Sequence, residues 1–424
     1  MHKLNDEKVQ SIIDMEYDRQ SNELEMIASE NYVSKEVMMA YSNVFTNKYS
    51  EGYIWKRYYW WQENVDKIEA LAQERALNIF DLNPNNWHVN VQALSWGPAN
   101  LAVYLWLLKP WDTILWMDLS AGGHLSHWHK LNWSWVYYNI VSYWVREDNN
   151  LIDYDEVEKK ALEHKPSLIL AWFSAYPRNI DWSKFSEIAD KVESKHWYRP
   201  ILMADIAHIA WLIAWKQISS PFEYFDIVTS TTHKTLRWPR WWVIYCKTEY
   251  QKEIDRGVFP GIQWWPHEHI IAAKAVAFGE ILNSDFANYA KNVIENAQIL
   301  SSELINKWYN VITWWTDNHI VILDVTEKNN QDTWVAGKEV EEILESVWIS
   351  VNKNMIPFDK RKPLDPSWLR LWTAAITTRW LGKEEMIKLA NIIDEAILNL
   401  NNTKKLQELK LKVSNICNKF PLKY

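Results

Sequence analysis

From residue 65 onward the chain alternates between two spacings of apolar residues. Val65, Ile68, Ala72, Ala76 and Ile79 recur at helical intervals and predict a helix over 65–80, and residues 5–28 predict another, amphipathic one at the N-terminus. Short apolar or β-branched runs follow at 89–92, 113–119, 138–145, 168–171, 201–206, 227–232 and 243–246. Helical stretches such as 153–164 and 183–194 separate several of them, which predicts an α/β fold with a mostly parallel, seven-stranded sheet covered on both faces. Functional side chains are then expected at the carboxyl ends of the strands. After a long helix starting near Pro266 the pattern changes to helix, a strand over 318–325, helix, a short strand and two terminal helices. This predicts residues 1–280 as an N-terminal arm and large domain, and 281–424 as a small α+β C-terminal domain.

Charge narrows the function classes. The net charge of −8 argues against a protein built to grip nucleic acid or an anionic membrane, since both need a basic face. Cys246 and Cys417 are the two cysteines, too few for a disulfide framework or a zinc ribbon, which fits a reducing compartment. Residues 1–10 are polar, and the best apolar stretch, 270–282, is broken by Lys274 and Glu280, so neither export nor membrane spanning is expected and the chain reads as cytoplasmic. One count is abnormal: 30 Trp stand beside 9 Gly, where ordinary usage gives about 30 Gly in a chain of this length. Several Trp occupy turns that suit Gly, among them Trp111 and the doublets Trp60-Trp61, Trp241-Trp242, Trp264-Trp265 and Trp314-Trp315. The expectation is a gene whose UGA codons mean glycine, read here as tryptophan; Trp87 and Trp182 sit where an aromatic residue is plausible.

The densest chemistry lies at Thr229-Ser230-Thr231-Thr232-His233-Lys234-Thr235, where a lysine follows a hydroxyl-rich strand. Burial there favours the free amine that can bond to an aldehyde cofactor, although a solvated lysine at a strand end has the same local sequence. Upstream, Asp205 ends the strand 201–206 and so reaches the same rim as Lys234. A carboxylate there can keep a pyridine nitrogen protonated, with His208 reaching a ring oxygen; a helix cap and a satisfied histidine are the plainer alternative. Ser95-Trp96-Gly97-Pro98 supplies a turn into a helix, with Pro98 expected at its first position, fit to cradle a phosphate, except that the Trp96 side chain would crowd it. His124, His127 and His129 raise a metal site, but no Cys or carboxylate nearby completes a tetrahedral set, so no metal is expected and His124 is better used stacking on a cofactor ring. Arg370 lies on an apolar strand, where its guanidinium can clasp an amino-acid carboxylate. Glu51, inside the polar and aromatic stretch 47–59, is a candidate general acid or base.

Taken together, Ile27-Ala28-Ser29-Glu30-Asn31, the stretch 47–59, Gly122-Gly123-His124, Ser174-Ala175-Tyr176-Pro177-Arg178, Asp205 to His208, Thr229 to Leu236, Val258-Phe259-Pro260-Gly261-Ile262-Gln263 and Val351-Asn352-Lys353-Asn354 resemble serine hydroxymethyltransferase, from about Leu24 to Leu422. At Trp55, Trp60, Trp61, Trp96, Trp211, Trp238, Trp241, Trp242, Trp264, Trp265 and Trp372 that family carries Gly, and Gly97 stands where it usually has a phosphate-binding Ser. The resemblance implies a fold type I pyridoxal 5'-phosphate enzyme, aspartate aminotransferase-like, acting as a homodimer with shared sites, tetramers left open. By position, Lys234 binds the cofactor covalently, Asp205 pairs with its pyridine nitrogen, His124 stacks, Ser174 and His208 flank the ring, Thr231 assists exchange of lysine for substrate and Arg240 supports the pocket. Ser95, Gly97, Trp264 and Trp265 stand around the cofactor, and Tyr49 reaches it from the partner chain along with Glu51 and Tyr59. Ser29, Tyr59 and Arg370 would bind serine, Glu51 would shuttle a proton, and Leu119, Gly123, Leu125, Tyr58, Phe259 and Asn354 would line a tetrahydrofolate pocket. The implied reaction is conversion of serine and tetrahydrofolate to glycine and methylene-tetrahydrofolate, with a folate-independent, threonine-aldolase-like enzyme or a non-catalytic scaffold as alternatives.

Overall fold

The computed structural model describes residues 4–422 except 119–120, 124–131, 173, 235, 238–239, 284, 329–330, 333–334, 356, 360 and 363–364. Each of the seven apolar runs forms a strand: β1 Trp87–Asn90, β2 Thr113–Met117, β3 Asn139–Tyr143, β4 Leu168–Trp172, β5 Ile201–Asp205, β6 Ile227–Thr231 and β7 Trp242–Lys247. They make one sheet in the order β1-β7-β6-β5-β4-β2-β3, parallel from β6 through β3, with β7 antiparallel to both its neighbours. Residues of β4 and β6 are buried at every position, on both faces, which is why those runs are continuously apolar or β-branched and do not alternate. The intervening helices begin on side-chain caps. Asp153 accepts from Asp155 and Glu156 N–H to start Tyr154–His164, and Asp181 accepts from Ser183 and Lys184 N–H to start Trp182–His196.

The chain divides into two compact units, Val33–Lys291 and a second made of Met1–Tyr32 with Asn292–Tyr424. In the second, strands Tyr309–Val311, Ile320–Lys328, Trp368–Trp372 and Asn352–Asn354 pair antiparallel in that order over a core that includes Leu323, Leu344, Leu369, Leu371 and Leu389. The N-terminal segment counts with this unit because Leu24–Glu25 pairs in parallel with Ile349–Ser350. The N-terminal helix is shorter than its pattern predicts, Glu7–Asn22, not 5–28. Its last carbonyls are taken by Arg379, which donates to the oxygens of Gln20, Ser21 and Glu23 from a fully buried side chain, and the chain leaves the helix as a strand. Among the described residues no helix is long and apolar enough to cross a membrane.

Candidate active site

Neighbouring parallel strands β5 and β6 deliver the two key groups to one edge of the sheet. Asp205 is the last residue of β5 and lies opposite Thr229 in register, while Lys234 follows the end of β6 by three residues. Lys234 Nζ is 2.9 Å from His208 Nε2, and both side chains are buried. Thr231 Oγ1 donates to the Ala207 carbonyl at 3.1 Å, which fixes the end of β6 against the turn carrying His208. The Asp205 carboxylate is buried; Oδ1 accepts from Ala207 N–H at 3.0 Å, and Oδ2 accepts from Trp96 Nε1 at 3.2 Å and Asn100 Nδ2 at 3.4 Å. Burial pushes its pKa up to about 6, against the pull of the Ala207 N–H and the Lys234 charge. Burial, then the same lysine, pushes His233 down to about 3, so that imidazole is neutral.

The rest of the expected cradle assembles around these groups. The helix Trp96–Leu107 starts on Ser95, whose side chain makes no cap bond; it begins at Trp96, so Pro98 is its third residue and not its first. Gly122 has φ +111°, and an added Cβ at Gly123 would come within 2.6 Å of the Met117 carbonyl, so the Gly122-Gly123 turn after β2 needs both glycines. That turn offers its carbonyls to Ser174, whose Oγ donates to Gly123 O at 3.0 Å and Gly122 O at 3.2 Å. Arg240 is exposed, its backbone N–H bonded to Tyr41 Oη at 3.1 Å. His124, Leu119 and Leu125 lie outside the described residues.

A second grouping forms around Glu51. Arg57, almost fully buried, is held by Asp66 at 2.9 Å and Glu69 at 2.5 Å and donates from Nη1 to the carbonyls of Gly52 at 2.7 Å and Ser50 at 3.3 Å, on either side of Glu51. Hydrogen bonding to Glu51, then burial, raises the Tyr59 phenol; partial burial, then Glu51, raises that of Tyr49. The Tyr49 ring meets Tyr59 edge-on at 5.9 Å and Trp265 at 4.2 Å, and Phe259 meets Tyr58 at 6.0 Å and Trp264 at 5.7 Å. The predicted cofactor and folate residues of stretches 49–59 and 259–265 thus come together in one cluster.

In the second unit, Arg370 pairs across the sheet with Asn352, and its Nη2 lies 3.4 Å from Asn352 Oδ1. The same oxygen accepts from the N–H of Ala28, next to Ser29, at 3.4 Å. Burial lowers the guanidinium to about 10. Asn354 lies two residues along the same strand, its amide bonded to the Met355 carbonyl. Asn352, Asn100 and Arg57 carry structural roles that their sequence context does not single out: Arg57 stands in a dense polar loop, and Asn100 inside the helix that follows Ser95.

A buried carboxylate and a buried amine beside an imidazole, both at the strand ends, are the groups that a phosphorylated pyridine aldehyde requires, so the donor set fits pyridoxal phosphate. One side chain does not fit: the Trp96 indole already occupies an oxygen of Asp205. A family model described as serine hydroxymethyltransferase matches residues 2–393 of the 424. The chain belongs to the serine hydroxymethyltransferase family, fold type I pyridoxal-phosphate-dependent transferases of one-carbon metabolism.

Proposed function

We propose that the chain converts L-serine and tetrahydrofolate reversibly to glycine and 5,10-methylenetetrahydrofolate, with Lys234, Asp205 and His208 as the core of the site. The observation that carries this reading is the Lys234 amine 2.9 Å from His208 at the same sheet edge as the buried Asp205 carboxylate. When bound, pyridoxal phosphate supplies an aldehyde for the lysine and a protonated ring that draws electrons from the substrate α-carbon. Asp205 would hold a proton on the ring nitrogen, His208 and Ser174 would orient the ring, and Thr231 would assist the exchange of lysine for substrate. The N–H groups at the start of the helix Trp96–Leu107, with Ser95 and Gly97, receive the phosphate. Glu51, beside the Tyr49 and Tyr59 phenols and on a backbone that Arg57 pins through Ser50 and Gly52, would hold the proton moved from or to the serine hydroxyl. Tyr58, exposed and edge-on to the buried Phe259, offers an aromatic face suited to a pterin.

Tyr49, Tyr58, Tyr59, Trp264 and Trp265 are exposed in the single chain. So large an aromatic patch supports a homodimer in which each chain lends Glu51 and its tyrosines to the other's site.

The reaction class is tested by following serine consumption with and without tetrahydrofolate, in a chain loaded with cofactor. A rate that rises from near zero and saturates with tetrahydrofolate is expected. Cleavage of β-hydroxy amino acids at the same rate without folate would replace this reading with an aldolase. Arg370→Ala is expected to raise KM for serine about 10–100-fold with a smaller fall in kcat, since a charge-assisted pair with the substrate carboxylate contributes about 1.5–3 kcal/mol. An unchanged KM in steady-state kinetics removes Arg370 from the substrate site.

A further inference from the structure

We infer that residue 96 is glycine in the working protein, and that the Trp96 indole seen here sits in the seat of the cofactor ring. The indole N–H donates to Asp205 Oδ2 at 3.2 Å, the bond a protonated ring nitrogen would make. Its ring is held among aromatic walls, 5.5 Å from Trp172 at the end of β4 and 6.2 Å, edge-on, from Trp242 at the start of β7. A flat, nitrogen-bearing heteroaromatic ring supplied by the chain itself therefore engages the carboxylate that the cofactor needs. Without a side chain at 96, Asp205 Oδ2 loses its indole donor while the Asn100 amide stays at 3.4 Å, which leaves the carboxylate able to accept from another ring nitrogen.

The backbone extends the assignment. Among the described residues fifteen non-glycine positions have positive φ, and eight of them are tryptophan: Trp55, Trp61, Trp111, Trp197, Trp308, Trp314, Trp348 and Trp380. A bulky side chain is the least suited to that conformation, and Gly the most. Trp197 caps the helix Trp182–His196 in the left-handed region, and Trp308, Trp348 and Trp380 follow helix ends with the same sign of φ, the positions where Gly closes a helix. Trp197 is 92% exposed, where an indole contributes nothing to packing. A separate group, Trp211, Trp215, Trp241 and Trp242, buries indole N–H groups with no hydrogen-bond partner, which a tryptophan selected for its site seldom does. Trp182 behaves oppositely: its N–H donates to Ser219 O at 3.1 Å and its ring packs edge-on against Phe225 at 5.3 Å, so tryptophan belongs there. The sign of φ thus marks eight positions that favour glycine, and packing marks Trp182 as a tryptophan, which composition alone does not allow.

This inference rests on the cofactor dependence of the family and not on the folate reaction, so its test uses pyridoxal phosphate alone. The chain with Trp96 and its Trp96→Gly variant are titrated with pyridoxal phosphate and binding is read from absorbance and from protein fluorescence. If the indole leaves the seat in about 1% of molecules, the variant binds about 100-fold more tightly. Equal affinity in two folded chains, or binding by neither, overturns the assignment. In parallel, replacing the eight left-handed tryptophans by glycine is expected to raise Tm by roughly 5–15 °C, while Trp182→Gly lowers it; a fall in both overturns the backbone argument. Peptide mass spectrometry of the protein purified from its own source gives the check that does not depend on folding of a variant: glycine at 96 and at the eight positions is expected, and tryptophan at 96 ends the proposal. A chain that binds cofactor after Trp96→Gly yet transfers no carbon to folate would leave this inference standing and sink the proposed reaction.

Discussion

In a Trp96→Gly background, Lys234→Ala is expected to lose covalent attachment of pyridoxal phosphate and to lower turnover of serine by about 10³-fold or more. The expectation comes from placement. Lys234 is buried just past a fully buried strand, and its amine lies within 2.9 Å of His208, so no other described amine is set beside Asp205 at that edge in the same way. The decisive measurement is borohydride reduction followed by peptide mapping. In the parent the label should fall on the peptide that carries residue 234, and in the variant no peptide should be labelled. A label on a different lysine in the parent would move the cofactor to another part of the sheet. Lys274 is the natural control: it is also fully buried, but its amine donates to the Val91 and Trp242 carbonyls, so Lys274→Met should change stability and leave the labelled peptide the same.

What the sequence made legible follows the strength of each local signal. The seven strands were readable because both faces of the sheet are covered, so runs such as Leu168–Trp172 stay apolar throughout. Asp205 and Lys234 were readable together because parallel neighbours end at the same edge, and a residue at the close of each run must then meet the other. The end of the N-terminal helix was not readable. Its apolar spacing continues past Asn22, and what stops it is a guanidinium more than 350 residues away, Arg379, filling its carbonyls. The hold of Arg57 on the backbone flanking Glu51 is hidden for the same reason, since Asp66 and Glu69 belong to a helix whose pattern advertises only its apolar stripe. The helix starts at Trp96, two residues before the position that Pro98 predicts, because a proline is accommodated throughout a first turn and not only at its first position. The sequence at Trp96 predicts crowding of the turn, but the contact of its indole with Asp205 depends on how the helix start packs against the end of β5.

Asp205→Asn, again with glycine at 96, is expected to lower kcat by about 10³-fold while KM for serine changes little. An amide of the same shape keeps the fold and the bond to Ala207 N–H but cannot hold a proton on a ring nitrogen, so the loss falls on the chemical step and not on substrate binding. A loss confined to KM would move Asp205 from the ring to the substrate. Stability provides a second, independent readout in the cofactor-free parent chain with Trp96. Folding raises the carboxyl from its ordinary value near 3.8 to about 6, because burial disfavours the charged form. Between those two pH values the native state holds a proton that the unfolded chain has released, so unfolding free energy falls as pH rises from about 4 to 6 and is level for this group above that. Asp205→Asn should remove that portion of the slope, measured as the difference between the denaturation curves of the two chains at each pH. Cofactor bound in the Trp96→Gly chain should remove it as well, because a protonated ring nitrogen against the carboxylate favours its charged form. A slope that survives both changes would mean that Asp205 is not the group that faces the ring.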